Sequence, residues 1–134
     1  MDLFTAMDIS ASGLRAQRTR MNVISSNLAN AHTTHTNEGG PYKRRDVILK
    51  ESSFEGQLAS VDVEGIKADS SPGERLYDPG NPDADEKGYV TMPNVNLMEE
   101  MVNMMNATRA FEANTIAVKA QKDMALKALQ IGGK

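Results

Sequence analysis

Apolar residues recur at spacings of three, four and seven near the start of the chain, which is typical of an amphipathic α-helix. Ile24 belongs to this pattern, and four further residues keep the strict seven-residue spacing of a coiled-coil seam, namely Met7, Leu14, Met21 and Leu28. The pattern predicts a helix within residues 1–30. Ser10, Ser12 and Gly13 have low helix propensity, so a break or bend is expected at that point.

Residues 94–134 carry a stronger helical pattern. A run without Gly or Pro follows Pro93 and Asn94 and ends before Gly132, as expected for the start and stop of a helix. About 37 residues form a rod of about 55 Å, whereas a compact globule of this chain length measures about 36 Å across. One end of this helix is therefore expected to project beyond the rest of the subunit.

Two apolar stripes lie side by side on the second predicted helix. One keeps heptad spacing and consists of Leu97, Met101, Met104, Thr108, Phe111, Thr115, Val118, Ala125 and Leu129. The other is made of small or uncharged residues and consists of Ala107, Ala110, Asn114, Ala117, Gln121, Met124 and Ala128. Such stripes most simply form a core. Two of them offer more apolar surface than one partner within the chain can cover, so we expect part of this surface to contact other subunits in an assembly.

The middle of the chain, residues 31–93, has the pattern of strands and loops and contains all five prolines. Residues 42–49 and 58–66 alternate as β-strands do, with a β-bulge expected at the glycine near the end of the second, and residues 89–92 suit a short last strand. Residues 78–83 have the composition of a loop. A unit of two or three strands is only marginally stable alone, so we expect it to pack against the helices.

The composition excludes several classes of protein. The chain has no Cys among its 134 residues, which excludes disulfides and thiolate metal sites. The net charge of −3 argues against nonspecific nucleic-acid binding, and no run approaches the roughly 20 apolar residues of a membrane span. Acids at Asp2 and Asp8 and the lack of an apolar stretch predict no cleaved signal peptide. Nine methionines provide flexible side chains that adapt to several neighbouring surfaces.

Three clusters could carry chemistry, and for each a simpler explanation is favoured. His32 and His35 have the spacing of two metal ligands but lack a nearby acidic third ligand, so they suit a polar linker. The acids of residues 78–86 fail the pattern of a calcium loop and suit a solvated loop. Lys43 and Arg45 share one face of the first predicted strand, where an acidic neighbour in another subunit could pair with them. We expect no catalytic, cofactor or metal site.

Several segments resemble the bacterial flagellar rod and hook axial proteins. The run SGLRAQRTRMNVISSNLANA, which begins at Ser12, is similar to the N-terminal signature of that family. The opening MDLFTAMDISASGL, the stretch EGGPYKRRDV, the loop YDPGNPDADEKGYV and the segment MPNVNLMEEMVNMMNATRAFEANTIAVKAQKDM are similar to one short subunit of the proximal rod. The similarity covers nearly the whole chain.

The resemblance implies a structural, non-enzymatic subunit that is mainly α with a small β-rich insert. Its terminal helices, 1–30 and 94–134, would pair as one antiparallel coiled-coil domain in an elongated subunit, with 31–93 as the strand and loop insert. It implies a helical tube, built with copies of itself and other rod proteins around a central export channel, in the basal body across the periplasm. It also implies unfolded export by the flagellar type III apparatus, and no nucleic acid, membrane span or cofactor.

The resemblance also implies roles for particular residues. Helix packing within the subunit would involve Met7, Leu14, Met21, Ile24, Leu28, Leu97, Met101, Met104, Phe111 and Val118. The assembly interface would involve Asn27, Asn30, Lys43, Arg45, Ala107, Ala110, Ala117 and Met124.

Three other interpretations stay open at this point. A free-standing helical module could bind a partner helix through its Met-rich stripe. A metal-dependent hydrolase could use His32 and His35. A needle or inner-rod subunit of a related secretion system is the third, although such chains are usually shorter and lack a strand-rich middle.

Overall fold

The computed structural model describes residues 3–54 and 58–133, without the side chains of Ser53, Phe54 and Leu58. The ends of the predicted segments 1–30 and 94–134 therefore lie partly outside the described residues. The elements, in chain order, are α1 (Leu3–Ala29), β1 (Arg45–Phe54), β2 (Leu58–Ala68), β3 (Arg75–Tyr77), β4 (Tyr89–Thr91) and α2 (Leu97–Gly132). Two long helices at the ends and two small pairs of strands between them agree with the predicted mainly α chain with a β-rich insert.

Helix α1 is continuous, so the break expected at its small residues is wrong. These residues instead allow close approach from two sides. The hydroxyl of Ser12 accepts a hydrogen bond from the Val61 amide at 3.1 Å. A Cβ atom placed on Gly13 would lie 2.9 Å from Nδ2 of Asn114. Small side chains at this point let the hairpin and α2 contact the same turn of α1.

The two helices run antiparallel. Near the C-terminal end of α1, Nδ2 of Asn27 donates to Oε2 of Glu100 at 3.0 Å, close to the start of α2. Near the opposite end, Nε2 of Gln121 donates to the hydroxyl of Ser10 at 3.2 Å. Residue numbers that increase along α2 therefore meet residue numbers that decrease along α1, which is the antiparallel arrangement.

The side of α2 that faces α1 is drawn from both predicted stripes. Among its buried and half-buried residues, eight recur alternately four and three positions apart; they are Glu100, Met104, Ala107, Phe111, Asn114, Val118, Gln121 and Ala125. Alternation of this kind keeps one narrow stripe against a partner helix. We refer to these residues as the facing stripe of α2.

The start of α2 is capped by a side chain. Oδ1 of Asn96 accepts hydrogen bonds from the amides of Met98 and Glu99 at 3.0 and 3.3 Å. Glu99 and Glu100 lie in the first turn, where negative charge is favoured by the helix dipole. The helix therefore begins three residues after Asn94, close to the predicted start.

The insert forms two separate two-stranded antiparallel sheets rather than one unit. Strand β1 pairs with β2 from Arg45↔Ala68 onward, with a shift in register between Ile48 and Leu49 that leaves an extra residue beside Gly65, where a bulge was predicted. The β1–β2 hairpin packs against α1. Strand β3, which the sequence did not predict, pairs with β4.

The core within the described residues is thin and built mostly from small side chains. Its buried apolar members are Ala16, Val23, Ile24, Ala31, Tyr42, Val47, Val90 and Ala107. In the same part of the chain, no helix is both long enough and apolar enough to cross a membrane. A core this thin leaves much apolar surface exposed to solvent.

Candidate assembly interface

A buried asparagine joins α1, the insert and α2. The side chain of Asn27 is 0% exposed. Its Nδ2 donates to the Arg45 carbonyl at 2.8 Å and to Oε2 of Glu100 at 3.0 Å. Its Oδ1 accepts from the Tyr42 hydroxyl at 3.0 Å and from the Arg45 amide at 2.9 Å. Two donors and two acceptor positions are all that an amide side chain offers, so Asn27 is fully satisfied.

Glu100 continues this cluster into α2. It is 1% exposed, and its Oε1 lies 2.7 Å from Nε of Arg44, while Oε2 accepts from Asn27. A buried carboxylate needs such partners, because burial without them would be costly. We call the side chains of Asn27, Tyr42, Arg44 and Glu100 the polar anchor.

Arg44 carries the charge that balances Glu100. Partial burial disfavours the charged guanidinium, but the hydrogen bond to Glu100 and the nearby carboxylates raise the pKa of Arg44 above its ordinary value. Its amide also donates to Oδ1 of Asn94 at 2.7 Å. The amide group of Asn94 in turn donates to the carbonyls of Asp69 and Ser71 at 3.2 and 3.0 Å. These bonds fix the start of the hairpin to the segment that leads into α2.

The outward side of α2 presents a cluster of apolar side chains to solvent. Met98, Met101, Val102 and Met105 are 72%, 55%, 54% and 56% exposed, although they occupy consecutive turns of one helix. Contiguous exposed apolar surface marks interaction sites in proteins that are otherwise well folded. We call these four residues the Met face.

Further exposed apolar residues continue along α2. Beyond the last residues that contact α1, the exposed residues are Leu126, Leu129 and Ile131, and earlier along the helix Ile116 and Met124 are exposed as well. The C-terminal turns of α2 thus lack a partner among the described residues. This agrees with the expectation that one end of the helix projects.

Most residues predicted to pack within the subunit lie at least half-buried. Ile24 is buried, and the half-buried ones are Met7, Leu14, Met21, Leu28, Met104, Phe111 and Val118. Leu97 and Met101 are 41% and 55% exposed, so the structure corrects these two assignments. The facing stripe begins at Glu100. Leu97 lies one turn before its first member, and Met101, the residue after Glu100, points about 100° away from it around the helix.

The predicted interface residues are divided between the interior and the surface. Lys43, Arg45 and Met124 are exposed, and Asn30, Ala110 and Ala117 are half-buried. Asn27 and Ala107 are 0% and 2% exposed within this one chain, so the structure corrects their assignment to an interface between subunits. Both lie where α1 meets α2, which is why a neighbouring subunit has no access to them.

Asn30 lies at the end of α1, in the same SNLAN run as Asn27. Its Nδ2 donates to the Ser26 carbonyl at 2.8 Å, and its Oδ1 accepts from the Thr33 hydroxyl at 3.2 Å. The Ser26 carbonyl also accepts from the Asn30 amide at 3.1 Å, so the side chain adds a second hydrogen bond where the helix ends. The two asparagines of the SNLAN run therefore have separate tasks, one in joining the elements and one in ending the helix.

His35 lies at the contact between two loops. Nδ1 of His35 lies 3.6 Å from Oδ1 of Asp83, and the hydroxyl of Thr34 donates to the other oxygen of that carboxylate at 2.7 Å. His32 is exposed. Across residues 3–54 and 58–133, no group of three side chains of the metal-binding types comes together.

The acidic loop uses its central carboxylate to shape a turn. Oδ1 of Asp85 accepts from the amides of Tyr89 and Lys87, each at 2.9 Å, and Oδ2 pairs with the guanidinium of Arg75. Hydrogen bonds from those amides, Tyr89 first, hold the pKa of Asp85 below its ordinary value of 3.8, with Arg75 adding to the effect. Gly88 closes the turn with φ of +81°, a conformation that favours glycine.

The sequence interpretation missed three members of the polar anchor, Tyr42, Arg44 and Glu100. A charged residue breaks an apolar pattern, so Glu100 was left out of both stripes. One signal was available: Glu100 keeps the spacing of the facing stripe, four residues before Met104 and seven before Ala107. A lone acid on an apolar heptad, with a basic triplet elsewhere in the chain, is a fair indication of a buried pair.

Comparisons with known proteins agree across the whole length. Residues 7–34 match the family described as "Flagella basal body rod protein", and residues 86–131 match that described as "Flagellar basal body rod FlgEFG protein C-terminal". The flagellar basal-body rod protein FlgC of Bacillus subtilis is 44% identical over 98% of this chain and 99% of its own. That of Borreliella burgdorferi is 41% identical over 98% of each chain, and that of Aquifex aeolicus is 43% identical over 92% of each.

Proposed function

This chain belongs to the FlgC family of flagellar basal-body rod proteins, and on that premise we propose that it packs with copies of itself and with other rod proteins. It is a structural subunit of the basal body and not an enzyme. In the arrangement that we propose, the subunits form a helical tube around the export channel of the proximal rod, across the periplasm.

Within each subunit, we propose that α1 and α2 wind around each other as an antiparallel coiled coil. The support comes from the facing stripe, whose spacing alternates between four and three, and from the heptad series on α1. A repeat of this kind keeps the contact on one side only when the helices supercoil slightly. The pair then forms one domain, and the hairpin insert packs on the outer side of α1.

The Met face is the observation that carries the assembly proposal. Met98, the most exposed of its four members, is 72% exposed in the isolated chain. Removing such side chains from water stabilises an interface by about 1.5–3 kcal/mol for each one fully buried. Met side chains adapt to partners of different shape, which suits a subunit that contacts both its own copies and other rod proteins.

Other exposed residues add to the proposed interface. The exposed side chains of Lys43 and Arg45 are available for an acidic side chain of the next subunit. Arg45 already lies 5.7 Å from the ring centre of Tyr42, which holds its guanidinium at the surface. Asn30, Ala110, Ala117 and Met124 stay in the proposed contact set, because Met124 is exposed and the other three are only partly buried.

A matched pair of substitutions tests the assembly proposal. Met105→Lys places a charge on the last residue of the Met face, whereas Asn106→Lys places the same charge on the next residue, which is also exposed but points about 100° away from Met105 around the helix. Each variant would replace the chromosomal copy, and rod completion would be scored by electron microscopy of isolated basal bodies and by swimming in soft agar. Circular dichroism of each purified chain would verify the helix content.

We expect Met105→Lys to abolish rod completion and swimming, because a buried unpaired charge is costly at an interface. The helix content of the free chain should stay that of the parent. Asn106→Lys should swim. Normal rods in Met105→Lys would contradict the assignment of the Met face. A stable, fully soluble monomer that never enters basal bodies, even without any substitution, would instead favour a free-standing binding module.

We also propose that the chain reaches the rod unfolded, through the flagellar type III export apparatus. The absence of Cys is consistent with export in this form, since no disulfide needs to be broken or re-formed. A fusion of the chain to a domain that resists unfolding should stay in the cytoplasm and block rod assembly. Transport of the intact fusion would contradict the proposal.

A further inference from the structure

We propose that the buried hydrogen bond between Asn27 and Glu100 selects the register in which α1 and α2 pair. The remaining contacts between the helices would permit a shift of α2 by one heptad along α1. The polar anchor opposes such a shift. The inference concerns contacts within one chain and does not rest on the proposed assembly.

The apolar residues of α1 do not fix the register by themselves. Met7, Leu14, Met21 and Leu28 repeat every seven residues with side chains of similar size. A shift of seven residues moves α2 by about 10 Å along α1. After that shift, Met and Leu again face the Ala, Phe and Val side chains of the facing stripe.

The contacts near the N-terminal end of α1 also tolerate a shift. Ser10 now meets Gln121. After a shift it would meet either Asn114, which offers the same kind of amide, or the small Ala128. Gly13 now lies against Asn114 and would lie against either Gln121 or Ala107. Since each replacement is polar or small, these contacts discriminate poorly between registers.

The polar anchor tolerates neither direction of shift. A shift one way sets Asn27 against Ala107, and a shift the other way sets it against Pro93, before α2 begins. In both cases the bond between Asn27 and Glu100 is lost. The carboxylate would face Thr34, beyond the end of α1, in the first register and Arg20 in the second, where the guanidinium could pair with it, so there the group left without its partner is Asn27. A buried amide or carboxylate without its partner is penalised more than an apolar contact that is merely exchanged. A single buried polar contact that sets helix register is known from coiled coils.

Cross-linking within the chain reads the register directly, because the chain has no Cys of its own. Gly13→Cys with Asn114→Cys reports the observed register, since a Cβ at Gly13 would lie 3.5 Å from Cγ of Asn114, within disulfide reach. Gly13→Cys with Ala107→Cys, or with Gln121→Cys, reports the two shifted registers. Each pair is oxidised at low protein concentration, and the monomeric cross-linked product is quantified on gels.

The three cysteine pairs are placed in four backgrounds. The first has the polar anchor intact, and the second carries Asn27→Leu with Glu100→Met, which replaces both partners with apolar side chains of similar size. The third carries Glu100→Gln, which keeps a side chain able to hydrogen-bond. The fourth carries Ser26→Ala as a matched control, because that hydroxyl lies 3.3 Å from the hydroxyl of Tyr42 but makes no contact with Glu100.

With the anchor intact, we expect the observed-register product to exceed each shifted product by roughly tenfold or more. Ser26→Ala should give the same ratio of observed to shifted product as the intact anchor, and Glu100→Gln should lower this ratio only slightly. The double apolar variant should bring the three products close to equal. An unchanged ratio in the double variant would overturn the proposal. So would loss of all three products in that variant, since the anchor would then be needed for pairing itself. Absence of the observed-register product with the anchor intact would contradict the register on which the proposal stands.

Discussion

Replacing Asn27 by Ala removes the centre of the polar anchor, and we expect a large loss of stability. Four hydrogen bonds disappear, one to Glu100, one to Tyr42 and two to the backbone of Arg45. A neutral bond contributes about 1 kcal/mol and one to a charged group about 2 kcal/mol. The two bonds to Arg45 are only partly buried, so water replaces part of them. The expected loss is about 3–4 kcal/mol.

The assay is equilibrium unfolding in urea followed by circular dichroism. With an m value of about 2 kcal/mol per molar urea, the midpoint should fall by about 1.5–2 M. Asn30→Ala is the matched control, because it is the same substitution three positions along the chain and removes two half-buried bonds, to Ser26 and from Thr33. We expect its midpoint to fall by about 0.5 M.

A difference between the two midpoints smaller than about 0.5 M would refute the reasoning. It would mean that the bonds of Asn27 are exchanged for water without cost. The anchor would then be a consequence of the fold rather than a reason for it. An m value that falls in Asn27→Ala alone would show that the variant has also lost cooperative unfolding.

Three further predictions concern single sites. Gly13→Leu should lower the free energy of unfolding by about 2 kcal/mol in thermal unfolding, since the new side chain would collide with Asn114 in α2. Gly13→Ala should change it by no more than about 1 kcal/mol, because the Asn114 amide can move and Ala favours the helix. Gly88→Ala should speed hydrogen exchange of the amides in the β3–β4 turn, as φ is +81° and the new Cβ would lie 2.9 Å from the Tyr77 ring; unchanged exchange would count against the turn. The pKa of Asp85 is lower in the folded state than its ordinary 3.8, so this carboxylate stabilises the turn above about pH 4 and ceases to do so as the pH falls through the folded pKa. Proton NMR should show the turn amides shifting in that acid range, and Asp85→Asn should remove the shift.

The helices could be predicted closely, and their contacts only in part. Periodicity located α1 and α2 within three residues of their observed starts. It could not show where the contact with α1 ends, nor that the buried position in this turn is Glu100 rather than Met101, and for those reasons Leu97 and Met101 were assigned to the interior. Amphipathic patterns report which side of a helix is apolar, but the residue at which a partner ends depends on the tertiary fold.

The strands show a similar limit. The second predicted strand began at Leu58, as observed, whereas the first was placed three residues too early. Strand β1 continues through Ser52 and Ser53 because Ser60 and Ala59 pair with them across the hairpin. The three-residue strand β3 exists through its pairing with β4 alone. Cross-strand partners of this kind leave little trace in local sequence.

Oxidation of the Met face, followed by peptide mass spectrometry, tests the central claim most directly. Peroxide converts exposed methionines to sulfoxides faster than protected ones. In the free chain, Met98, Met101 and Met105 should oxidise quickly, and the half-buried Met21 should oxidise slowly as an internal reference. In isolated basal bodies, we predict that all three become as slow as Met21, because neighbouring rod subunits cover them. Equally fast oxidation of all three in basal bodies and in the free chain would contradict the account.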